Sequence, residues 1–352
     1  MNFKTDCKFF KGNVPCIPNK KYDVQCDNCI YYAPVAYRIL IIKLAAIGDV
    51  IRTTPVLTRL RKLYPNALIY WLTSTPDILP DEVDYKLEYS YENIQVLKSI
   101  QFDLLLNLDK SGEACSATYQ IPSYSKRGFT LLDGKPYPIN KAAEHKYITG
   151  IFDSVSKANT KSYVEEIFEI CEIGEFNNEE YILDVDTKNC IVLPSKSLAK
   201  VIGLNTGCSD RWKSRLWDLE NWVELAEKLI DRKYEVVLLG GENENINNKY
   251  IAKKSGAKYF GTFPIKDFIS IVNFCDLVVS QVTLVAHIAI ALKKKLVLMN
   301  NIFNKHEFYL YGRGKIIEPD INCNCFYSPV CKNDCMKYIT VATVLQTIGE
   351  LM

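Results

Sequence analysis

Glycine followed by an ionisable residue occurs where an apolar run ends, which is where parallel α/β sheets place their ligands. The first such pair is Gly48-Asp49, shortly after the apolar run 39–42. Glycine lets a ligand approach the backbone, and Asp49 adds a carboxylate that can accept a proton. The alternative interpretation is that Asp49 only caps a helix. Lys43, at the end of the same run, either contributes a cation or is a solvent-exposed strand-end residue.

A second group of polar residues begins with Thr206 and Gly207 and continues through 211–217. Its three cations, which include Lys213 and Arg215, could neutralise the oxygens of a phosphorylated ligand. The alternative is a solvated loop whose two tryptophans pack on the domain.

Gly241 and then two acidic residues, Glu242 and Glu244, follow the apolar run 235–239. A carboxylate at such a position can accept hydrogen bonds from ribose hydroxyls. Alternatively, both glutamates only favour the positive end of the next helix. The glycine pattern lacks the G-x-G-x-x-G spacing, so the nicotinamide-binding fingerprint is missing.

Further along, a predicted strand passes directly into a helix at Thr283 and Leu284. The first N–H groups of a helix can bind an anion, and the Thr283 hydroxyl adds a polar group there. His287 follows one helical turn later on the same side. A single histidine on an apolar helix is also typical of a satisfied core residue.

The chain contains 13 cysteines, eight of which form two clusters. The first cluster is Cys7, Cys16, Cys26 and Cys29, and the second is Cys323, Cys325, Cys331 and Cys335. In a reducing compartment, clustered cysteines are more often metal ligands than disulfides. Each cluster offers four thiolates, enough for a closed structural Zn²⁺ or Fe site. An Fe–S cluster, one mixed site drawn from both clusters, and free thiols remain alternatives.

Composition limits the classes of protein to which the chain can belong. At ~150 residues per domain, 352 residues correspond to two domains plus accessory segments. Lys and Arg number 43 against 41 Asp and Glu, and a net charge of +2 argues against a nucleic-acid binder. No apolar run reaches the ~20 residues of a transmembrane helix, and the N-terminus resembles no secretory signal. We therefore expect a soluble, cytoplasmic protein.

The apolar runs alternate with amphipathic segments in the manner of βαβ units. Strands are predicted at 39–42, 67–72, 102–108, 201–205, 235–239, 276–279 and 296–298. Helices are predicted from Pro55 with Thr54 as N-cap, after a Ser162/Glu165 capping box, before Gly256, and over 266–274 and 283–292. The predicted fold class is α/β, with two Rossmann-like doubly wound domains facing a cleft.

Four domains and segments are predicted along the chain. Residues 1–34 form a cysteine-rich appendage that should need a metal, because the segment lacks a core of its own. Residues 35–185 form the first Rossmann-like domain and 186–320 the second, and 321–352 carry the second cysteine cluster and a terminal helix.

Four segments in this order resemble glycosyltransferase family 9, the ADP-heptose heptosyltransferase-like enzymes of the GT-B fold. They are KLAAIGDVIRTTP at 43–55, RLWDLENW at 215–222, GGENE at 240–244, and Thr283-x-x-x-His287. The resemblance runs from about residue 38 to the C-terminus. The cysteine-bearing ends are similar to a sub-branch that includes autotransporter heptosyltransferases, some with cysteine-bound iron. Where the family usually has Asp-Thr-Gly, this chain has Val282-Thr283-Leu284.

This resemblance implies an inverting transferase that moves a sugar, with heptose from ADP-heptose as the implied case, to an acceptor hydroxyl. Asp49 would be the general base, and Arg215 would stabilise the departing diphosphate where the family usually has Lys. Glu244 or Glu242 would hold the ribose, and Thr283 the diphosphate. Other residues expected to contact the donor are Lys43, Gly48, Thr206, Gly207, Lys213, Gly241, Leu284 and His287. No catalytic divalent metal is expected, because these cations can neutralise the leaving group.

The expected partners are the nucleotide-sugar donor and a saccharide or protein acceptor, as in lipopolysaccharide or glycoprotein biosynthesis. Peripheral association with the inner membrane and homo-oligomerisation are compatible with this assignment. One alternative is a nucleotide-sugar epimerase, which would need further acid/base groups in the cleft, and the chain has three histidines. Another is a non-catalytic binding or assembly protein, in which the altered 282–284 motif marks a lost donor site.

Overall fold

The computed structural model describes residues 2–185 and 199–352, which form two compact units. The first unit comprises Met1–Ala45, Val56–Glu144 and Glu169–Gly174. The second unit comprises Ala46–Pro55, His145–Phe168 and Glu175–Met352. The domain boundary predicted at 185/186 borders the segment 186–198, which lies outside the described residues.

A six-stranded sheet forms the centre of the first unit. Its strands are β1 Tyr37–Ile42, β2 Ala67–Thr73, β3 Tyr85–Glu88, β4 Phe102–Asn107, β5 Ser123–Leu132 and β6 Lys135–Pro138. Their spatial order is β3-β2-β1-β4-β5-β6. All neighbours pair in parallel except β5 and β6. The predicted apolar runs are the buried strands β1, β2 and β4 of this sheet.

The second unit contains a five-stranded sheet that is parallel throughout. Its strands are β7 Val201–Asn205, β8 Glu235–Leu239, β9 Leu277–Gln281, β10 Lys295–Met299 and β11 Gly314–Ile317. Their order is β11-β10-β9-β7-β8. Since the carboxyl ends of parallel strands meet at one edge, the motifs after β7, β8 and β9 lie along the same edge.

The helices connect these strands. In the described residues they are α1 Ile17–Tyr22, α2 Ile47–Ile51, α3 Pro55–Leu63, α4 Tyr91–Lys98, α5 Gly112–Gln120, α6 Lys141–Thr149, α7 Asp153–Ala158, α8 Tyr163–Cys171, α9 Leu219–Asp231, α10 Asn245–Ser255, α11 Ile265–Phe274, α12 Leu284–Ala291 and α13 Val341–Leu351. None of these helices combines the length and apolar character that crossing a bilayer requires.

Several helix ends agree with the cap residues in the sequence. Helix α3 begins at Pro55. Before α8, the Glu165 N–H donates to Ser162 Oγ (3.3 Å) and the Ser162 N–H donates to Glu165 Oε2 (2.6 Å), as the capping box predicts. Helix α10 ends before Gly256, whose φ is +82°. Helix α12 begins one residue later than predicted, because Thr283 is its N-cap.

Helices α9 and α13 cover one face of the second sheet with apolar side chains. Trp222, Leu225 and Leu229 of α9 belong to the same buried cluster as Val344 and Ile348 of α13. This packing fixes the strands whose carboxyl ends carry the candidate site.

The N-terminal appendage is held by contacts that its sequence did not reveal. The rings of Tyr22 and Tyr31 stack with their centroids 4.6 Å apart. The Val35 N–H donates to Asp6 O (2.7 Å), which ties the end of the segment to its beginning. Ring stacking and backbone hydrogen bonds thus cross-link the segment, and its need for a metal stays a prediction.

Candidate active site

A cavity of about 700 Å³ opens within the second unit, at the carboxyl ends of β7, β8 and β9. Helix α2, from the segment 46–55 of the same unit, also contributes to its lining. Nine of the residues predicted for the site line it: Gly48, Asp49, Gly207, Arg215, Gly241, Glu244, Thr283, Leu284 and His287.

Asp49 lies in the first turn of α2, and about one third of its side chain is exposed. Its Oδ2 accepts the N–H of Ala46 (3.4 Å), so the carboxylate does cap the helix. Its Oδ1 lies 2.8 Å from Arg52 Nη2. Because Asp49 also lines the cavity, the capping interpretation and the functional interpretation are compatible.

Arg52 is a site residue that the sequence interpretation missed. Its guanidinium carbon lies 3.6 Å from the centroid of the Tyr163 ring, and its Nη1 lies 3.7 Å from Glu307 Oε2. Burial disfavours its charge, but Asp49, Tyr163 and Glu307 outweigh that effect and raise the pKa of Arg52. The Asp49/Arg52 spacing of i and i+3 on a helix could have indicated this pair.

Two further missed residues complete this charged group. The Tyr327 hydroxyl donates to Glu307 Oε1, and both side chains line the cavity. Burial and the Glu307 carboxylate raise the pKa of Tyr327, so its phenol stays a hydrogen-bond donor. Glu307 lies in a short 3₁₀ turn after β10 and Tyr327 in a turn after β11, where no periodic pattern in the sequence could have singled them out.

His287 on α12 is buried and still lines the cavity. Burial and the charge of Arg52 lower its pKa to about 3, so the imidazole is neutral near pH 7. A Cβ on Gly48 would come within 2.7 Å of His287 Cδ2, so glycine is needed for this contact between α2 and α12. The neutral imidazole therefore packs against Gly48 and is not a cation.

Arg215 is a buried cation at the cavity wall. Its Nη1 donates to the carbonyl oxygen of Val282, just before α12, and its guanidinium carbon lies 5.4 Å from the Phe303 ring centroid. Burial lowers its pKa, an effect that the adjacent Cys208 thiol partly opposes. Among the described side chains, no carboxylate pairs with Arg215. An anionic ligand would offset the cost of burying this charge.

The N-terminus of α12 opens onto the same cavity. Asn205 Nδ2 donates to Thr283 Oγ1 and to the carbonyl oxygen of Gly207, both at 3.1 Å. Thr283 in turn accepts the Val285 N–H (3.3 Å). The partial positive charge at this helix end and the Arg215 guanidinium suit the same anion, such as a diphosphate.

The Glu244 carboxylate lies against two glycines, Gly207 and Gly241. Its Oε2 accepts the Gly241 N–H (2.8 Å). A Cβ on Gly207 would overlap the Glu244 carboxylate, whereas a Cβ on Gly241 would lie 3.7 Å from Glu244 Oε2. Gly207 is therefore needed to let the carboxylate reach this place. Three apolar cavity residues follow along the chain: Phe263, Ile265 and Phe268.

The remaining four predicted donor contacts do not line this cavity. They are Lys43, Thr206, Lys213 and Glu242. Lys43 lies in the first unit, where its Nζ donates to Ala45 O (2.8 Å) and lies 3.4 Å from Asp109 Oδ2.

The other three side chains have different surroundings. Thr206 is buried and its hydroxyl donates to Asn248 Oδ1 (2.5 Å). The Lys213 side chain is exposed, and Glu242 accepts a hydrogen bond from the Thr262 hydroxyl. Thus Arg215 is the cation of the 211–217 segment that reaches the cavity lining, and Glu244 rather than Glu242 is the glutamate that does so.

The second cysteine cluster converges on one point. The Sγ atoms of Cys323, Cys325, Cys331 and Cys335 all lie within 4.8 Å of one another. Cys323 and Cys331 are 3.4 Å apart, as are Cys325 and Cys335. Sulfur atoms around a tetrahedral Zn²⁺ with ~2.3 Å bonds lie ~3.8 Å apart, so this donor set fits Zn²⁺ or Fe.

A backbone hydrogen bond favours ionisation of one thiol of this cluster, Cys331, whereas burial raises the pKa of Cys325 and Cys335. The Cys335 N–H donates to Cys331 Sγ (3.4 Å). Burial opposes ionisation of Cys331, but this N–H and the neighbouring thiols lower its pKa to about 7. A thiolate is the form that ligates a metal.

The first cysteine cluster does not converge in this way. Cys7 forms a β-bridge with Pro34, Cys16 precedes α1, Cys26 begins a 3₁₀ turn and Cys29 follows that turn. Among the described residues, the four thiols 323–335 are the cysteine group that the fold brings together. The spacing of the cysteines along the chain predicts a four-thiol site in each cluster. Only the positions of the Sγ atoms in the described residues distinguish the second cluster from the first.

Sequence comparison matches residues 159–312 to the model of glycosyltransferase family 9 (heptosyltransferase). No curated protein matches the chain. Solved structures give the fold: a family 9 glycosyl transferase from Veillonella parvula has a TM-score of 0.70 at 16% identity, covering 90% of this chain and 97% of that one. E. coli ADP-heptose lps heptosyltransferase II has a TM-score of 0.66 at 18% identity, covering 89% and 98%.

A third structure also shares the fold. The iron-containing dodecameric glycosyltransferase TibC from enterotoxigenic E. coli has a TM-score of 0.54 at 13% identity. The alignment covers 90% of this chain and 78% of TibC. The two Rossmann-like sheets with helices are thus those of the GT-B fold, as predicted.

Proposed function

We propose that this chain, of which residues 159–312 match the model of glycosyltransferase family 9, transfers heptose from ADP-heptose to an acceptor hydroxyl with inversion of the anomeric centre. One observation carries the proposal: a single cavity is lined both by a carboxylate, Asp49, and by a buried cation, Arg215, beside a helix N-terminus. The heptosyltransferase II neighbour, which is named for ADP-heptose, supports that donor.

Asp49 is the proposed general base. An acceptor hydroxyl has a pKa far above neutral, so it needs a proton acceptor as its oxygen attacks the anomeric carbon. The partly exposed carboxylate is accessible from the cavity, and the Arg52 guanidinium 2.8 Å away favours its ionised form. Attack from the face opposite the leaving group inverts that carbon. The acceptor we propose is a hydroxyl of a saccharide or a protein.

Arg215 and the N-terminus of α12 are the proposed stabilisers of the leaving group. As the bond to the anomeric carbon breaks, negative charge develops on the nucleoside diphosphate. A fixed hydrogen-bond donor aimed at such charge typically lowers the activation barrier by about 3–4 kcal/mol. Arg215 is held against Val282 O and Phe303 before any ligand arrives, so it needs little reorganisation.

Glu244 and the apolar residues near it are proposed to bind the nucleoside. A carboxylate can accept hydrogen bonds from both ribose hydroxyls. Phe263, Ile265 and Phe268 offer apolar surface to the base. Leu284 replaces the family's usual glycine, so we propose that the diphosphate is held mainly by Arg215 and Thr283.

Hydrolysis of ADP-heptose, with water as the acceptor, tests this function. The protein should release ADP, and Asp49→Asn should slow release roughly 10²–10⁴-fold while leaving the Kd for ADP-heptose nearly unchanged. Asp81→Asn, at an exposed carboxylate beside Lys86, is the matched control and should behave as the unsubstituted protein. Equal rates for Asp49→Asn and Asp81→Asn would remove Asp49 from the role. No binding to ADP-heptose would reject the donor.

A further inference from the structure

We infer that the four-cysteine loop, residues 323–335, supports the donor cavity and positions Arg215, with Asn301 as the positioning residue that joins the two. Metal held by the four thiols would thereby be linked to nucleotide affinity. The identity of the bound nucleotide rests on the proposed function, whereas the coupling rests on the contacts of Asn301, Ser214 and Tyr327.

Asn301 bridges the thiol cluster and the chain next to Arg215. Its Nδ2 donates to Cys335 Sγ (3.4 Å) and to the carbonyl oxygen of Ser214 (2.7 Å). Ser214 immediately precedes Arg215. A single side-chain amide thus joins a metal-ligating sulfur to the backbone that carries the cation.

Ser214 is also bound directly to the four-cysteine loop. Its backbone N–H donates to Pro329 O (3.2 Å), and its hydroxyl donates to Ser328 O (2.7 Å). Two hydrogen bonds therefore join Ser214 to the loop directly, and a third joins it to Asn301, which in turn donates to Cys335 Sγ. Displacement of the loop would therefore move the peptide that precedes Arg215.

The apolar cover of the cluster is at the same time a wall of the cavity. Trp212 and Phe303 pack against the group of Ile302 and the buried cysteines, and both also line the cavity. Their rings meet edge to face with centroids 5.6 Å apart. The cluster and the cavity therefore share side chains and are not separate parts of the second unit.

Tyr327 gives the loop a second connection. It lies between Cys325 and Cys331, lines the cavity, and donates to Glu307, which faces Arg52. The loop therefore touches the cavity at both the Arg215 side and the Asp49–Arg52 side.

Coupling of this kind is reciprocal. Drawing four thiolates together restricts the loop, so the bound metal would favour the arrangement in which Ser214 and Tyr327 are held. A nucleotide that needs the same arrangement should then bind more tightly to the metal-loaded protein, typically by about 5–150-fold.

Hydrogen exchange tests the coupling without a nucleotide. We compare the full chain loaded with Zn²⁺ and the same chain after chelation. Amides in 211–216, which include the Ser214 N–H bound to Pro329 O, should exchange at least ~10-fold faster after chelation. The β8 amides, 235–239, should be unchanged. Equal exchange of 211–216 in both states would overturn the inference.

A pair of asparagines provides a matched second test. Asn301 and Asn333 both donate to a sulfur of the cluster, Asn333 to Cys323 Sγ (3.6 Å), but the Asn333 side chain is exposed and is not bonded to Ser214. Both alanine variants should keep one metal per chain by mass spectrometry. Asn301→Ala should weaken ADP binding, measured by calorimetry, by roughly fivefold or more, and Asn333→Ala should leave it unchanged.

The results separate this inference from the proposed function. If ADP binds Asn301→Ala and Asn333→Ala equally well, the positioning role fails while the donor assignment stands. If ADP binds none of the proteins, the donor assignment fails, and exchange in 211–216 alone decides the coupling. If chelation unfolds the chain and β8 also loses protection, the asparagine pair decides it.

Discussion

Arg52 Nη2 lies 2.8 Å from Asp49 Oδ1, so the proposed base is paired with a cation that a second carboxylate, Glu307, faces from 3.7 Å. The ring of Tyr163 covers the same guanidinium. Arg52 therefore holds Asp49 in place and favours the ionised form of its carboxylate. We propose that it positions the base and takes no proton itself.

Removing this guanidinium should slow the reaction and alter its pH dependence. Arg52→Gln leaves Asp49 without its cation, so we expect kcat to fall roughly 10–100-fold. The acid limb of kcat should move to higher pH, because protonation of the carboxylate becomes easier. Arg52→Lys keeps the positive charge but loses the two-pronged geometry of the guanidinium. Its kcat should lie between those of Arg52→Gln and the unsubstituted protein. A pH profile identical to that of the unsubstituted protein would show that Arg52 does not act on the base.

Arg215 should matter for leaving-group departure, whereas its exposed neighbour Arg211 should not. We expect Arg215→Gln to lower kcat for ADP release roughly 10²–10³-fold. Arg211, whose guanidinium lies 5.0 Å from the Trp212 ring centroid and which is not part of the cavity lining, serves as the control. Similar losses in Arg211→Gln and Arg215→Gln would mean that general positive charge, and not the position of Arg215, is responsible.

Two glycines near Glu244 provide a geometric test of nucleoside binding. A methyl group at Gly207 would displace the Glu244 carboxylate, but one at Gly241 would make an ordinary contact of 3.7 Å. Gly207→Ala should therefore raise KM for ADP-heptose by roughly tenfold, the loss of one charge-assisted hydrogen bond, with a smaller effect on kcat. Gly241→Ala should leave KM close to its original value. Equal KM values in both variants would exclude Glu244 from donor binding.

Burial of His287 predicts how stability depends on pH. Its pKa is about 3 in the folded protein and 6.5 for the exposed side chain, so between these values the unfolded chain binds one more proton. Stability from this residue is complete above pH 6.5 and falls by about 1.4 kcal/mol per pH unit as the pH drops toward 3. The free energy of unfolding in urea is measured at pH 7 and at pH 4.5. His287→Gln should reduce the loss of stability between these pH values, whereas His306→Gln, at an exposed histidine, should leave that loss unchanged. An unreduced loss in His287→Gln would contradict the prediction.

Much of the fold could be predicted because the strands are continuous apolar runs. The bounds of β7 and β8 agree with the prediction residue for residue, and the caps at Pro55, Ser162 and Gly256 carry signals within a few residues of sequence. Strands β3, β5, β6 and β11 were missed, since they are short or only partly buried and lack such runs.

The candidate site could be predicted only where a motif follows a strand. Asp49, Arg215 and Thr283 satisfy that condition, and all three line the cavity. Glu307 and Tyr327 reach it from short turns that no motif marks, so only the folded chain reveals them. The two cysteine clusters illustrate the same limit, because convergence of thiols depends on the path of the backbone and not on spacing alone.

The segment Ala46–Pro55 packs with the second unit although it follows the first strand of the other sheet. Asp49 and Arg215 therefore belong to one folded body. This has a consequence for hybrids between this chain and another protein of the same fold: crossover points at 45 and 56 let the parent that supplies the five-stranded sheet also supply the aspartate.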